Sequence, residues 1–359
     1  HGDTHLHSSW TTDSAMAGGE AGPDVAYRVS RGETVTSTTG LRVQLIRPLD
    51  FIVLADHAEN LGISDFIKRS DPICLANEMC KRWHDMTKSG DGYDAFIEWL
   101  RADDRDQVNE PRMMHSAWAK VVENADKYYL PGTFTTFHGF ERTSMPNGNN
   151  LHRVVIFRDG ADKTSQILPY SQYDSHDAED LWEYMDGYEQ KTGGQVLAIA
   201  HNGNLSNGTM FDTKTYTGKR LTREYAETRM RFEPLHEVTQ QKGDAEAHPL
   251  LSPDDAFADF ETVDAGNISG KVAKTPDMLP KEYARPALKE GLRLEERLGV
   301  NPFKFGMNGS TDNHTALPTS REENNFSKAS FVEPSAERAF HPLIKGQTPE
   351  LSLLEADVG

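Results

Sequence analysis

The chain has 359 residues, enough for two average domains or one large α/β barrel with insertions. Its 56 acidic residues against 38 basic ones give a formal charge of -18, a field that repels polyanions and argues against sequence-independent nucleic-acid binding. No apolar run approaches the roughly 18 residues needed to cross a bilayer, so no membrane span is expected. A small-molecule substrate stays open, an anionic one included where bound cations invert the field locally.

Taken in chain order, Asp3 to His7 reads as an extended segment, followed by strands at Phe51 to Ala55, Thr133 to Phe137, Arg153 to Phe157, Gln195 to Ala200, Leu235 to Thr239 and Phe303 to Met307. Helices lie between them. One starts at Ser70-Asp71-Pro72, a capping residue followed by proline at the first helical position, and runs toward Met86. Others are predicted at Arg112 to Tyr129, Ala178 to Gln190, Pro253 to Phe260 and Glu282 to Leu298, the last closed by Gly299. Cys74 and Cys80, six apart in the first of these helices, would face different sides and are expected as unbridged thiols. The alternation favours an α/β architecture. The first residue is His1 rather than Met, so the chain is expected to follow a segment removed or unobserved.

Histidines and carboxylates gather at predicted strand ends. In Asp3-Thr4-His5-Leu6-His7 the two imidazoles are two apart, on one face of an extended chain, so both can reach one cation. The apolar run Phe51-Ile52-Val53-Leu54-Ala55 delivers Asp56, His57 and Glu59 at its end, where desolvation is costly without a partner or a metal. Phe137 to Arg142 carries His138 and Glu141, and Asn150-Leu151-His152-Arg153 a further histidine. A wholly apolar strand ends in His201, and Phe305 to His314 closes on Asp312-Asn313-His314. Each pattern alone can be a turn or a satisfied core histidine. Four strand ends closing in this way are hard to explain as core packing.

In this order His5-x-His7, Asp13, His57, Glu141, His152, His201 and Asp312-x-His314 resemble the PHP superfamily, named for polymerase and histidinol phosphatase domains. The resemblance implies an α/β fold, a distorted (β/α)7 TIM-like barrel of the PHP type with loop and helical insertions, over residues 1–318. Residues 319–359, which hold no long periodic element, would be a surface excursion or the start of a truncated C-terminal region. Asp13 stands where some members carry a third N-terminal histidine, which makes the second site harder and richer in oxygen. Gly2 to Ser8, Ala55 to Glu59, Ala200 to Asn204 and Gly309 to His314 look closest to a branch of large bacterial proteins catalogued only as a domain of unknown function.

By analogy with trinuclear members, His5, His7, Glu141 and Asp312 would hold one metal. Asp13, His57 and His314 would hold a second, and Glu141, His152 and His201 a third, with Glu141 bridging. Two or three divalent ions are implied, and the mixed ligands suit Zn, Mn or Fe. Among the other histidines, His84, His176, His236, His248 and His341 are expected to be replaceable without metal loss.

Two cations sharing a water lower its pKa toward neutrality and stabilise the oxygens of an in-line displacement, so phosphoester hydrolysis on a small molecule is the first functional expectation. Arg142, Arg153 and Lys242 are the cations expected to meet charge on the leaving group, with surface salt bridges as their ordinary alternative. Asn204, Ser206 and Asn207 can shape specificity or merely form the turn after His201. Glu237 can project beside the metals or sit on a strand surface. Asp56 and Glu59 are candidates for orienting ligands, and His138 reads better as a core histidine. Two further classes stay open: a hydrolase of a carbon-centred amide, ester or lactone with the same metals, and a non-catalytic metal-binding module. For location, periplasmic or exported is what the resemblance implies, with cytoplasmic as the alternative.

Overall fold

The computed structural model describes residues 1–16, 18–101, 108, 110–319, 321, 324–326 and 328. They divide into two compact units, the first made of His1–Glu141, Arg158–Pro169 and the described residues from Thr311 on, the second of Arg142–Phe157 and Tyr170–Ser310.

The first unit is built on three parallel strands, β1 (Gly2–Leu6), β4 (Phe51–Leu54) and β5 (Thr135–Arg142), whose last residue belongs to the second unit. A short antiparallel hairpin supplies β2 (Val35–Thr36) and β3 (Arg42–Val43). The helices are α1 (Thr12–Met16), α2 (Pro23–Ser30), α3 (Ile63–Lys68), α4 (Pro72–Ala76), α5 (Glu78–Ser89), α6 (Gly92–Arg101), α7 (Pro111–Tyr128) and α8 (Ala161–Thr164). Parallel strands are covered on both faces, and β4 accordingly reads Phe-Ile-Val-Leu with its last three residues buried. Leu6, Ile52 and Leu54 pack with Tyr27, Tyr128 and Phe134 in one core, which Leu317 and Phe326 also enter. Phe326 thus adds a buried aromatic to this core.

In the second unit β6 (Arg153–Phe157) runs antiparallel to β7 (Val196–His201), and β7, β8 (Leu235–Thr239) and β9 (Gly306–Gly309) are parallel. Its helices are α9 (Ala178–Thr192), α10 (Arg223–Phe232) and α11 (Ala284–Leu298). Asp177 caps α9 by accepting from the Glu179 amide, and left-handed Gly193 and Gly299 end α9 and α11. The fold is mixed α/β, with seven principal strands interleaved with helices, in agreement with a distorted barrel of the PHP type.

Three expectations are corrected. The helix predicted from Ser70 toward Met86 is two helices, because Asn77 is extended (φ -93, ψ 125); it ends α4, and its side chain accepts the Cys80 amide at 3.0 Å to start α5. That break folds the segment back on itself and brings Cys74 and Cys80 to a Cα separation of 5.1 Å, where they form a disulfide rather than two thiols. Pro253 to Phe260 is a run of turns, with Ala258 buried but the large side chains of Phe257 and Phe260 exposed, so little apolar packing is there to hold a helix. Closing a loop between residues six apart constrains the unfolded chain by about 2 kcal/mol in the chain-entropy account. Reduction is therefore expected to lower stability by about that amount. Denaturation with and without dithiothreitol measures it, and thiols titrating in the untreated native protein would contradict the bridge.

Candidate metal centre

The site in the first unit grows from strand ends. His5 lies on β1 and His7 follows it, on the same face because only Leu6 separates them. On one side of this strand the Ala55 amide bonds Leu6 O at the end of β4. On the other, residues 312–316 run alongside: the Asp312 amide bonds His5 O, His7 bonds Asn313 O and Ala316 bonds His7 O, all at 2.7–2.9 Å. This pairing sets Asp312 and His314 beside His5 and His7. His57 just past β4 pairs with Glu141 near the end of β5, where the Glu141 amide bonds Asp56 O at 3.1 Å and the Ala58 amide bonds Glu141 O at 2.8 Å. Asp13 sits in the first turn of α1, which Ser14 ties to the His314 carbonyl at 2.7 Å.

Four donor atoms converge. His5 Nε2 and His7 Nε2 are 3.1 Å apart; Glu141 Oε2 lies 3.5 and 3.2 Å from them, and Asp312 Oδ1 3.5 and 3.2 Å. A cation held at 2.0–2.1 Å in tetrahedral array has donor-to-donor edges of about 3.3 Å, so His5, His7 and Asp312 can group around one ion, with Glu141 Oε2 at similar distances from the two imidazoles. A second set adjoins it: His57 Nδ1 is 2.9 Å from the same Glu141 oxygen, while Asp13 Oδ2 lies 3.4 Å from His57 Nε2 and 2.8 Å from His314 Nε2. His7, His57 and His314 can also group around one ion. His314 Nδ1 lies 2.9 Å from the Asp312 carbonyl; donating there leaves the Nε2 lone pair facing the Asp13 carboxylate, an arrangement a cation satisfies.

All these side chains are buried or nearly so. Burial drives the His314 imidazole down to about 3, despite Asp13 beside it, so that it is neutral and able to ligate at neutral pH. His57 goes the other way: burial opposes its charge, but Glu141 and Asp13 hold it well above the ordinary imidazole value. Asp13 is desolvated too, yet its carboxyl lies well below the usual carboxylate range, with His57 among the groups that hold it there. A bound cation would take over the role of the proton among these groups.

The second unit brings His152 and His201 together, their rings edge to face with centroids 5.5 Å apart. Asn150 clips the end of β7 by donating to the carbonyls of His201, at 2.7 Å, and Asn202, at 3.1 Å. Glu237 is the β8 partner of His201 in the register. The turn that follows needs a left-handed Asn202 (φ 48) and Gly203, where a Cβ would come within 2.1 Å of the Glu282 carbonyl.

With the geometry in place, comparison supplies a family: a profile described as "Protein of unknown function (DUF3604)" matches residues 1–352. The chain belongs to the DUF3604 family. No curated protein matches it significantly. The DUF3604 match spans every histidine and carboxylate expected as a metal ligand.

In this DUF3604 chain the three expected cations are placed differently from one another. Arg153 is buried, its Nε 3.0 Å from Glu233 Oε1 and its Nη1 2.7 Å from Leu151 O. Arg142 is buried and donates to the carbonyls of Ser175 and Asp177. Lys242 is partly exposed, and its carbonyl accepts from Asn204 at 3.1 Å. Asn204 also donates to Val263 O at 3.0 Å, Asn207 to Val272 O at 3.1 Å, and Ser206 Oγ accepts from the Met210 amide at 3.2 Å. All three therefore hold the loop after His201 in shape.

Asp56 accepts from the Ser8 amide and hydroxyl at 2.6 and 2.8 Å, fixing the chain just past His7. The Glu59 carbonyl accepts from the Thr12 hydroxyl at 3.3 Å, beside Asp13. His138 bonds Thr164 at 2.7 Å and Asp126 at 2.9 Å, and burial depresses its imidazole, as suits a core histidine. His341 lies outside the described residues.

Two participants had been given no role. Asp3, whose burial lifts its carboxyl to about 6, accepts from the His5 amide at 3.0 Å and the Thr311 hydroxyl at 2.6 Å, pinning β1 to the 311–316 segment. Its signal was present, since Asp3, His5 and His7 share the period of two. Lys328, from a stretch without periodicity, reaches Asp312 and carried no comparable signal.

Proposed function

We propose that this chain is a metal-dependent hydrolase of small molecules. The observation that carries the reading is the buried group His5 Nε2, His7 Nε2 and Asp312 Oδ1, at separations that suit one tetrahedral ion, with Glu141 Oε2 3.5 and 3.2 Å from the two imidazoles and Asp13, His57 and His314 beside them. These residues would hold two divalent ions, with Zn, Mn or Fe all compatible, and His152 and His201 offer donors for a further one. When bound, such ions activate water at neutral pH and stabilise the oxygens of attack and departure. The residues themselves fix the donors, exclude bulk water and neutralise what they bury. Asp56, through Ser8, and Asp3, through His5 and Thr311, keep the two chain segments in register.

The phosphoester reading rests on the resemblance of the ligand order to the PHP superfamily. Cleavage of a carbon-centred ester, amide or lactone is favoured by a separate observation: Arg153 and Arg142, the cations expected to grip a phosphate, are engaged by Glu233 and by backbone carbonyls. Turnover of p-nitrophenyl phosphate, bis-p-nitrophenyl phosphate and p-nitrophenyl acetate with Mn or Zn, before and after chelation, separates the two. Turnover of the acetate alone sinks the phosphoester reading. Stoichiometric metal binding without turnover of any of them would instead favour a non-catalytic module. An exported location is proposed as well, since a disulfide persists in oxidising compartments. Among the described residues no helix is long and apolar enough to cross a membrane.

A further inference from the structure

The second group without an assigned role leads further. Lys328 is buried, and its ammonium lies 3.1 Å from Asp312 Oδ1, donates to the Asp312 carbonyl and stands 3.2 Å from His314 Nδ1. The Lys328 carbonyl in turn accepts from the His314 amide at 2.8 Å, so backbone and side chain both grip the Asp312–His314 turn. The carboxylate oxygen it touches is the one that faces His5 and His7. Asp312 also holds a left-handed backbone (φ 51), a conformation that costs a non-glycine residue free energy and needs its surroundings to sustain it. A desolvated lysine is costly to bury unless its charge is used, and here it meets a carboxylate and that residue's carbonyl.

We infer that Lys328 is a positioning residue of the metal centre, holding Asp312 with Oδ1 turned toward His5 and His7 and holding the turn that presents His314. This rests on the metal-dependent reading above. Outer partners of ligating side chains, when removed, typically cost about 10–100-fold in metal affinity. An opposite sign is also physically available, because an ammonium repels a nearby cation, so removal could tighten binding were repulsion its main effect.

The test uses the full chain and the metal alone. Zn affinity is measured by chelator competition, and cobalt-loaded protein by its visible absorption, for wild type, Lys328→Met and Lys328→Arg. Lys328→Met is expected to bind Zn about 10–100-fold more weakly with altered cobalt bands, and Lys328→Arg to fall between it and wild type. Met-variant affinity equal to or tighter than wild type overturns the inference while leaving the metal-dependent reading intact. Wild type that binds no metal overturns both. Should the Met variant fail to fold, Lys328→Arg decides: affinity and cobalt bands identical to wild type would overturn the positioning role.

Discussion

Glu141→Ala is expected to release more than one equivalent of metal, measured by inductively coupled plasma mass spectrometry after dialysis against metal-free buffer. The reason is a single oxygen: Glu141 Oε2 is 2.9 Å from His57 Nδ1 and 3.2 Å from His7 Nε2, between the two donor sets. A carboxylate in that place would serve both ions, and its loss would also remove negative charge that offsets the repulsion between two cations. The fall in affinity should exceed the roughly 10–100-fold seen when only an outer partner is lost, and turnover should fall with it. Unchanged stoichiometry in a folded variant would show that Glu141 bridges nothing.

Glu233→Ala should cost about 3–5 kcal/mol of stability, the penalty typical of leaving buried charges without their partner. Glu233 Oε1 accepts from Arg153 and from the Trp182 indole, both at 3.0 Å, and its other oxygen lies 3.2 Å from Arg229. All three charged side chains are buried, so removing the one carboxylate strands two guanidinium groups. Denaturation followed by tryptophan fluorescence measures the loss, and a change below about 1 kcal/mol would refute the assignment. The pair also has a pH signature. Burial alone would raise the Glu233 carboxyl, but Arg153 and Arg229 hold it below its ordinary value of 4.5. Its contribution is therefore complete above that ordinary value and is lost as the pH falls through the lower folded one.

Much of the centre was legible because its signals are local. A buried strand that ends in histidine is readable from composition alone, and β4, β6, β7 and β8 fall within a residue or two of where apolar runs place them. His5 and His7 follow from the period of two, and α11 from its terminal glycine. What stayed hidden depends on long-range pairing or on one backbone conformation. Asn77 is a capping residue type, but it sits inside an otherwise helical stretch, and its extended backbone is what makes the Cys74–Cys80 bridge possible. Arg153 looked available beside His152, since its partner Glu233 is 80 residues away. Lys328 meets Asp312 from 16 residues further along the chain, in a stretch where hydrophobic patterning gives no signal.

The left-handed backbone at Asp312 bears on how the centre should be dissected. Alanine, the customary probe, would there combine two changes: the carboxylate goes, and a side chain without a local hydrogen-bonding group must occupy a conformation costing roughly 1–2 kcal/mol. A β-branched replacement would fare worse. Asparagine tolerates that conformation and keeps one oxygen, so Asp312→Asn isolates the charge, while Asp312→Gly relieves the backbone and isolates the side chain. Read together, those two variants separate the electrostatics of this position from its stereochemistry.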